Sequence, residues 1–272
     1  MERFISGNRA LLERDTIVSF YIDLNCDLGE VESLQEIGPD VELLGYATSI
    51  NVACGGHAGN REVMKHLSAL AIAKNIAIGA HPGFPDRENF GRLSMAMPRS
   101  ILQQTVVDQV GTLVDIVREL GGQVTHIKPH GALYNDACRD EALAGTLTEC
   151  IAKNFSDMML VGASGSLLLG MGREQGLDTV SEVFADRNYH SDGRLVPRSQ
   201  PLAVLGDVMV IARRAVDMVL HRRVQSVEAT WVMVQPETIC LHGDTANALE
   251  IAAEICDALL DHDIKIQSFV RK

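Results

Sequence analysis

Seven short apolar runs, each followed by a polar turn or a helical pattern, constrain the fold of this 272-residue chain more than any other feature. Repeated strand–helix units imply parallel strands with right-handed crossovers. Both an open sheet with helices on each face and a closed barrel satisfy this pattern, and seven units in a chain of this length favour a barrel one strand short of eight. The predicted strands lie at about residues 19–26, 48–54, 76–80, 124–129, 158–163, 180–185 and 238–242.

Amphipathic helical stripes lie between the strands, at residues 63–74, 102–120, 208–219 and 248–259. Pro98 and the pair Gly121-Gly122 bracket the longest stripe and are typical start and stop signals. The chain has no low-complexity linker and no obvious repeat. We therefore predict one α/β domain over residues 21–272, a seven-stranded parallel β/α barrel, preceded by an N-terminal extension over residues 1–20.

Composition narrows the classes of protein to consider. A formal net charge of −12 argues against a nucleic-acid partner, because phosphate binding needs a basic surface. No apolar run reaches the length of a membrane span, and the N-terminus lacks the apolar region of a signal peptide. The six cysteines form no C-x-x-C pair, which favours a reduced, cytoplasmic protein.

Four histidines follow predicted strands and are flanked by Gly or Pro: His57, His81, His130 and His242. Barrels and doubly wound folds place their chemistry at the carboxyl ends of parallel strands. We therefore expect these side chains to meet at one mouth.

The first strand carries polar residues at alternate positions, Asp23, Asn25 and Asp27. Side chains alternate across a strand, so these three share one face. Inside a barrel they must be hydrogen-bonded or bind a ligand. The alternative is a solvated edge strand.

Other residues leave two interpretations open. His57 fits either a site or a structural histidine, and Cys54 is better explained as a small core residue than as a nucleophile. Lys128 could bind an anionic group of a substrate or pair with a core carboxylate. His126 and His130 have the H-x-x-x-H spacing, but four residues along a strand span about 13 Å, too far to share one metal ion.

Two long polar loops follow the third and sixth strands and carry Arg87, Arg187 and Arg198. Guanidinium groups suit carboxylate or phosphate, although each could simply hold its loop in place through a salt bridge. Phosphate-loop, dinucleotide-binding, nucleophile-elbow and H-E-x-x-H motifs are absent from the sequence.

The motifs, taken in order, resemble the LamB/YcsF family over roughly residues 21–265. Two positions depart from the family pattern: Gly56 stands where an aromatic is commoner, and Asn60 where Asp is usual. The matching strings are Ile22–Glu30, Ala53–Gly59, Ile78–Pro82, Pro85–Arg92, His126–Asn135, Glu182–Arg187, Asp192–Arg198 and Leu241–Asp244.

The resemblance implies a barrel of the glycoside hydrolase/deacetylase superfamily type. It also implies the activity of the A subunit of an ATP-dependent 5-oxoprolinase, which opens 5-oxo-L-proline to L-glutamate together with the B and C subunits. ATP would be a co-substrate of the complex, and a divalent metal is left open.

This chemistry needs an acid and a base, a cation for the substrate carboxylate, and groups that bind ATP. Two of Asp27, His57, His130 and Asp186 are the hypothesised acid and base. Lys128 or Arg187 would hold the carboxylate, and Arg87 and Arg198 would bind ATP. The other predicted substrate-binding residues are Asn25, His81, His242 and Asp244.

Two other functions stay open at this point. One is a stand-alone, metal-dependent amidohydrolase or deacetylase. The other is a non-catalytic subunit that binds substrate while its partners carry out the chemistry.

Overall fold

Seven parallel strands form a closed barrel in the computed structural model, which describes residues 20–243 and 247–270. The ring closes because the last barrel strand pairs with the first, which confirms the predicted seven-stranded barrel. The predicted extension, up to residue 19, and Asp244 lie outside the described residues. The barrel strands, in spatial order, are β1 (Phe20–Leu28), β2 (Ser49–Ala53), β3 (Ala77–His81), β4 (Val124–Ile127), β5 (Met159–Ala163), β6 (Thr179–Phe184) and β9 (Thr238–His242).

Helices surround the barrel and pack on its apolar outer face. The α-helices are α1 (Gly38–Leu43), α2 (Arg61–Lys74), α3 (Arg99–Glu119), α4 (Gly131–Ala137), α5 (Glu141–Asn154), α6 (Leu167–Glu174), α7 (Val208–His221) and α8 (Ala248–Asp261). The four predicted amphipathic stripes correspond to α2, α3, α7 and α8, and the other four α-helices among the described residues were not predicted.

Three short strands lie outside the barrel ring and were not predicted. β7 (Arg223–Gln225) and β8 (Trp231–Met233) form an antiparallel hairpin. β10 (Ile264–Ile266) runs parallel to the first residues of β1 and extends the sheet below the barrel. Phe269 then places its ring edge-on to the buried ring of His126, with 5.1 Å between centroids.

The alternation of β1 separates its side chains as predicted. Ile22, Leu24 and Cys26 are buried in the apolar layer, whereas Asp23 and Asn25 are buried among polar side chains of neighbouring strands. The solvated-edge alternative is therefore wrong, because β1 pairs with β2 and with β9.

Asn60 shows how one departure from the family pattern is accommodated. Its side-chain oxygen accepts hydrogen bonds from the backbone N–H groups of Glu62 and Val63 at the start of α2. Asn and Asp are both good N-cap residues, so the helix start is preserved without a charge.

Across the described stretches, residues 20–243 and 247–270, the helices lack the combination of length and apolar character that spanning a bilayer requires.

Candidate active site

The barrel interior holds a buried polar network, here called the interior network: Asp23, Asn25, Asn51, His126, Lys128 and Glu182. Asn25 donates to Glu182 Oε1 at 3.0 Å and accepts from Asn51 Nδ2 at 2.8 Å. Below it, Asp23 accepts hydrogen bonds from the hydroxyl groups of Ser49 and Thr48. Burial raises the pKa of Asp23 to about 6 although these hydroxyl groups favour its charged form.

Lys128 joins this network to the mouth of the barrel. Its Nζ lies 2.8 Å from Asp27 Oδ1 and 2.6 Å from Glu182 Oε1, and the side chain is buried. Burial alone would lower the pKa of Lys128, but the adjacent acidic groups, Asp27 first, raise it well above its usual range. Of the two interpretations of Lys128, the ion pair with a core carboxylate is the one observed, and the same side chain also borders the cleft described below.

A second group of polar residues lies at the mouth, here called the mouth cluster: Glu30, His57, His81 and His130. Each offers one nitrogen or oxygen atom, and these four atoms lie within 4.8 Å of one another. Glu30 Oε1 lies 3.0 Å from His57 Nε2 and 2.9 Å from His130 Nδ1. The rings of His57 and His130 stack with centroids 3.5 Å apart.

Burial and hydrogen bonding together shift the pKa values of the mouth cluster. It lowers the pKa of His81 to about 3, outweighing the opposing charge of Asp27, so this imidazole is neutral near pH 7. Burial would raise the pKa of Glu30, but hydrogen bonds from His130 and His57 lower it well below its usual range. The cluster therefore pairs a carboxylate with imidazoles, a donor set that can hold a metal ion or move a proton.

Three glycines leave room for neighbouring side chains, two of which are histidines. At Gly91, where φ is +61°, a Cβ would lie 2.8 Å from His57 Cβ. At Gly79 within β3, a Cβ would overlap the ring of His126. The departure at Gly56 has a similar basis, because the buried side chain of Gln109 occupies the space beside that Cα.

A cleft that is partly open to solvent lies above the mouth cluster. Cationic groups of Arg92, Arg187 and Arg198 line it together with the aromatic side chains of Tyr134 and Phe184. Burial, reinforced by the nearby charge of Arg198, lowers the pKa of Arg187 to about 10, which leaves it charged at neutral pH. The cleft thus suits a small molecule that carries carboxylate or phosphate groups.

The structure brings six of the twelve predicted site residues to this cleft. Asp27, His81, Lys128, His130, Arg187 and Arg198 line it. His57 stacks behind His130, and Asn25 lies beneath Lys128 in the interior network. The backbone of His242 ends β9 opposite Asp27.

Two predicted residues lie elsewhere. Asp186 is buried just after β6 and does not line the cleft. Arg87 donates to both carboxylate oxygens of Glu32 and to the carbonyl groups of Gly55 and Gly59, so it holds its own loop in place away from the cleft. Its predicted role in binding ATP has no geometric support.

Sequence reasoning missed several residues that complete the site. Glu30 follows Asp27 by three positions, and the reversal of the chain at Gly29 (φ +78°) carries it back to the histidines. Glu182 was detectable as a lone acid within the apolar strand β6. Tyr134 in α4, whose hydroxyl donates to Glu182 Oε2 at 2.7 Å, and Arg92 lie in strings that match the family but were not predicted to be site residues.

The spacing of His126 and His130 predicted that they do not bind one metal ion together, and the structure places them in two different groups of side chains. His126 Nε2 lies 3.0 Å from Asn51 Oδ1, deep in the interior network, while His130 belongs to the mouth cluster. Cys54 is a buried thiol whose pKa is raised to about 12 by burial, consistent with a core residue.

Comparison with known proteins gives concordant matches. The sequence profile of the LamB/YcsF family matches residues 22–272. A protein from Geobacillus kaustophilus, named as the A subunit of 5-oxoprolinase, is 46% identical over 91% of this chain and 96% of its own length. A protein of the same name from Tolumonas auensis is 40% identical over 91% and 98%. The crystal structure of a lactam utilization protein from Thermus thermophilus superposes with a TM-score of 0.86 at 36% identity, covering 92% of this chain and all of that one.

Proposed function

We propose that this chain, which belongs to the LamB/YcsF family, is the A subunit of an ATP-dependent 5-oxoprolinase and works together with B and C subunits. The complex would open the lactam of 5-oxo-L-proline to L-glutamate while ATP is hydrolysed to ADP and phosphate. Relatives that bear this name align over nearly their whole length, which supports the assignment. The observation that carries it is the cleft, which is lined by both a carboxylate–imidazole centre and three arginines.

The energetics of the reaction explain why ATP is needed. A lactam carbonyl is a poor electrophile, and opening the ring is close to uphill. Phosphoryl transfer to the amide oxygen makes the ring carbon electrophilic and couples ring opening to hydrolysis of ATP. Water then has to lose a proton as it attacks, and the departing ring nitrogen has to gain one.

Asp27 and the mouth cluster are placed to handle the water and its proton. Asp27 Oδ2 lies 3.4 Å from His81 Nε2, and both residues border the cleft. Of the four hypothesised acid–base residues, Asp27 and His130 reach the cleft directly, so we assign proton transfer to this side.

The arginines that line the cleft suit the anionic groups of the reactants. Arg187 and Arg198 both line the cleft and are our candidates for binding the substrate carboxylate or the phosphates of ATP. The Arg187 side chain is held by the backbone carbonyl groups of Ala203 and Val196. Such an anchored guanidinium loses little conformational entropy when it binds an anion.

The test is glutamate release from 5-oxoproline, measured with and without ATP, by this chain alone and after addition of its partner subunits. We expect glutamate and ADP in equal amounts only when ATP and all subunits are present. Hydrolysis of an acylated amide substrate by the chain alone, without ATP, would instead favour a stand-alone amidohydrolase. Tight 5-oxoproline binding without turnover in any combination of subunits would favour a substrate carrier.

A further inference from the structure

The tautomers of two mouth histidines are fixed by backbone carbonyl groups. His81 Nδ1 lies 2.7 Å from the carbonyl oxygen of Lys128, and His130 Nε2 lies 2.9 Å from that of Phe90. A carbonyl oxygen can only accept a hydrogen bond, so each of these ring nitrogens carries the hydrogen. The other nitrogen of each ring, His81 Nε2 or His130 Nδ1, is the one that turns toward Glu30.

These two nitrogens lie close to each other and to Glu30. His81 Nε2 and His130 Nδ1 are 3.0 Å apart, and Glu30 Oε1 lies 2.9 Å from the latter and 3.7 Å from the former. Two ring nitrogens and one carboxylate oxygen thus converge in a buried place, and all of them are atoms that bind metal ions. A convergence of this kind favours a cation that all three atoms contact.

We propose that Glu30, His81 and His130 are the ligands of a divalent first-row transition-metal ion, zinc or a close relative. Bonds of about 2.0–2.2 Å in tetrahedral geometry place ligand atoms about 3.3–3.6 Å apart. The observed separations of 2.9, 3.0 and 3.7 Å bracket that range. Two imidazoles and one carboxylate suit such an ion better than Mg²⁺ or Ca²⁺, which prefer all-oxygen sites.

His57 is a positioning residue in this site. It does not line the cleft, whereas the three ligands do. Its Nε2 donates to Glu30 Oε1 at 3.0 Å and its ring stacks on that of His130, so it orients two of the ligands. The carbonyl groups of Lys128 and Phe90 orient the imidazoles in the same way, which is the usual outer arrangement of a metal site.

Three protein ligands leave a position open toward the cleft, as in catalytic zinc sites. Asp27 lies beside that position. The inference goes beyond the proposed function and does not depend on it, because a metal ion can bind at these residues whatever the substrate of the chain.

Metal binding to the full chain is the direct test. Protein stripped with a chelator is titrated with Zn²⁺, Mn²⁺ and Co²⁺ by calorimetry, and the metal content is measured after gel filtration. We expect one ion per chain for at least one of these metals, with a visible Co²⁺ spectrum typical of low coordination number. Wild-type protein that retains none of the three would overturn the proposal.

Variants then assign the ligands. Glu30→Gln, His81→Gln and His130→Gln should each weaken binding by about 100-fold or more, and His57→Gln by about tenfold. His126→Gln is the matched control, since it removes a buried barrel histidine outside the mouth cluster and should leave metal affinity within about twofold of wild type. Circular dichroism and thermal melting show which variants are folded.

Two results would contradict the assignment even if metal binds. One is unchanged affinity in folded His81→Gln protein, and the other is an equal loss in His126→Gln protein. Metal binding and glutamate release are tested separately. A chain that binds one ion but supports no glutamate release would confirm the metal site and contradict the proposed function.

Discussion

The interior network and the mouth cluster are both buried, and both contain histidine and a carboxylate. They differ in how completely their polar atoms are hydrogen-bonded. In the interior network, the two ring nitrogens of His126 meet Thr125 Oγ1 at 2.9 Å and Asn51 Oδ1 at 3.0 Å. In the mouth cluster, His57 Nδ1 has no hydrogen-bond partner among the described residues, and nitrogens of His81 and His130 converge on Glu30 Oε1. A fully paired buried group stabilises the fold, whereas a convergent set of ligand atoms marks a place where another species can bind.

The largest expected contrast is in turnover. In the reconstituted complex, His130→Ala should reduce glutamate release by at least about 1,000-fold, because it removes a cleft residue of the mouth cluster. His126→Ala should lower the free energy of unfolding instead, with turnover per folded molecule retained. Steady-state rates and urea denaturation of both variants separate the two effects. Near-normal turnover of folded His130→Ala would remove this residue from the site.

Lys128→Met tests the link between the two regions. It leaves Asp27 and Glu182 without their cation, so the free energy of unfolding should fall by about 3–5 kcal/mol. Adding Glu182→Gln should restore part of the loss, because one buried charge is then gone. Urea denaturation measures both, with Lys65→Met on the exposed face of α2 as the control. A loss no larger than that of Lys65→Met would show that the ion pairs do not stabilise the barrel.

The pH dependence of stability should carry the signature of His126. Burial, with the charge of Lys128, lowers its pKa to about 3 in the folded chain. An unfolded chain takes up this proton near pH 6.5, so the free energy of unfolding falls as the pH drops from about 6.5 to about 3, by up to about 1.4 kcal/mol per pH unit. In His126→Gln this contribution is absent.

Urea denaturation between pH 4 and pH 7 checks the expectation, and His66→Gln on an exposed helix face should keep the wild-type slope. If the free energy of unfolding had the same slope against pH in wild type and in His126→Gln, the folded and unfolded chains would bind the His126 proton equally. The buried imidazole would then be protonated in the folded chain at low pH, which contradicts the prediction.

The smallest effect is expected at Arg87. Its ion pair with Glu32 is solvent-exposed, so Arg87→Ala should change stability by less than about 1 kcal/mol and leave the KM for ATP unchanged. Arg198→Ala, in the cleft, should raise the KM for an anionic reactant. A raised KM for ATP in Arg87→Ala alone would restore the role predicted from the sequence.

The sequence predicted the barrel well because that information is local. Alternation along Asp23, Asn25 and Asp27 identified an inward polar face, and turn residues after each strand marked the mouth. The hairpin β7–β8 and the strand β10 escaped prediction because three-residue strands carry too little periodicity.

The candidate site was predicted less completely, because its contacts join residues far apart in the chain. The ion pair between Lys128 and Asp27 spans 101 positions, and the distance between them depends on strand register. Glu30 has no periodic signal, since only the backbone reversal at Gly29 directs it to the histidines. Arg87 illustrates the opposite error, where a suitable side chain in a long loop faces away from the cleft.

The pairing of β1 with both β9 and β10 has a consequence for the kinetics of folding. Among the strands, β1 leaves the ribosome first and these two partners leave last, so the ring cannot close until nearly all of the barrel has been synthesised. Such sequence-distant pairing slows folding and leaves strand edges exposed to aggregation in the meantime. A nascent chain of this kind therefore most needs protection by a chaperone in the period before β9 and β10 pair with β1.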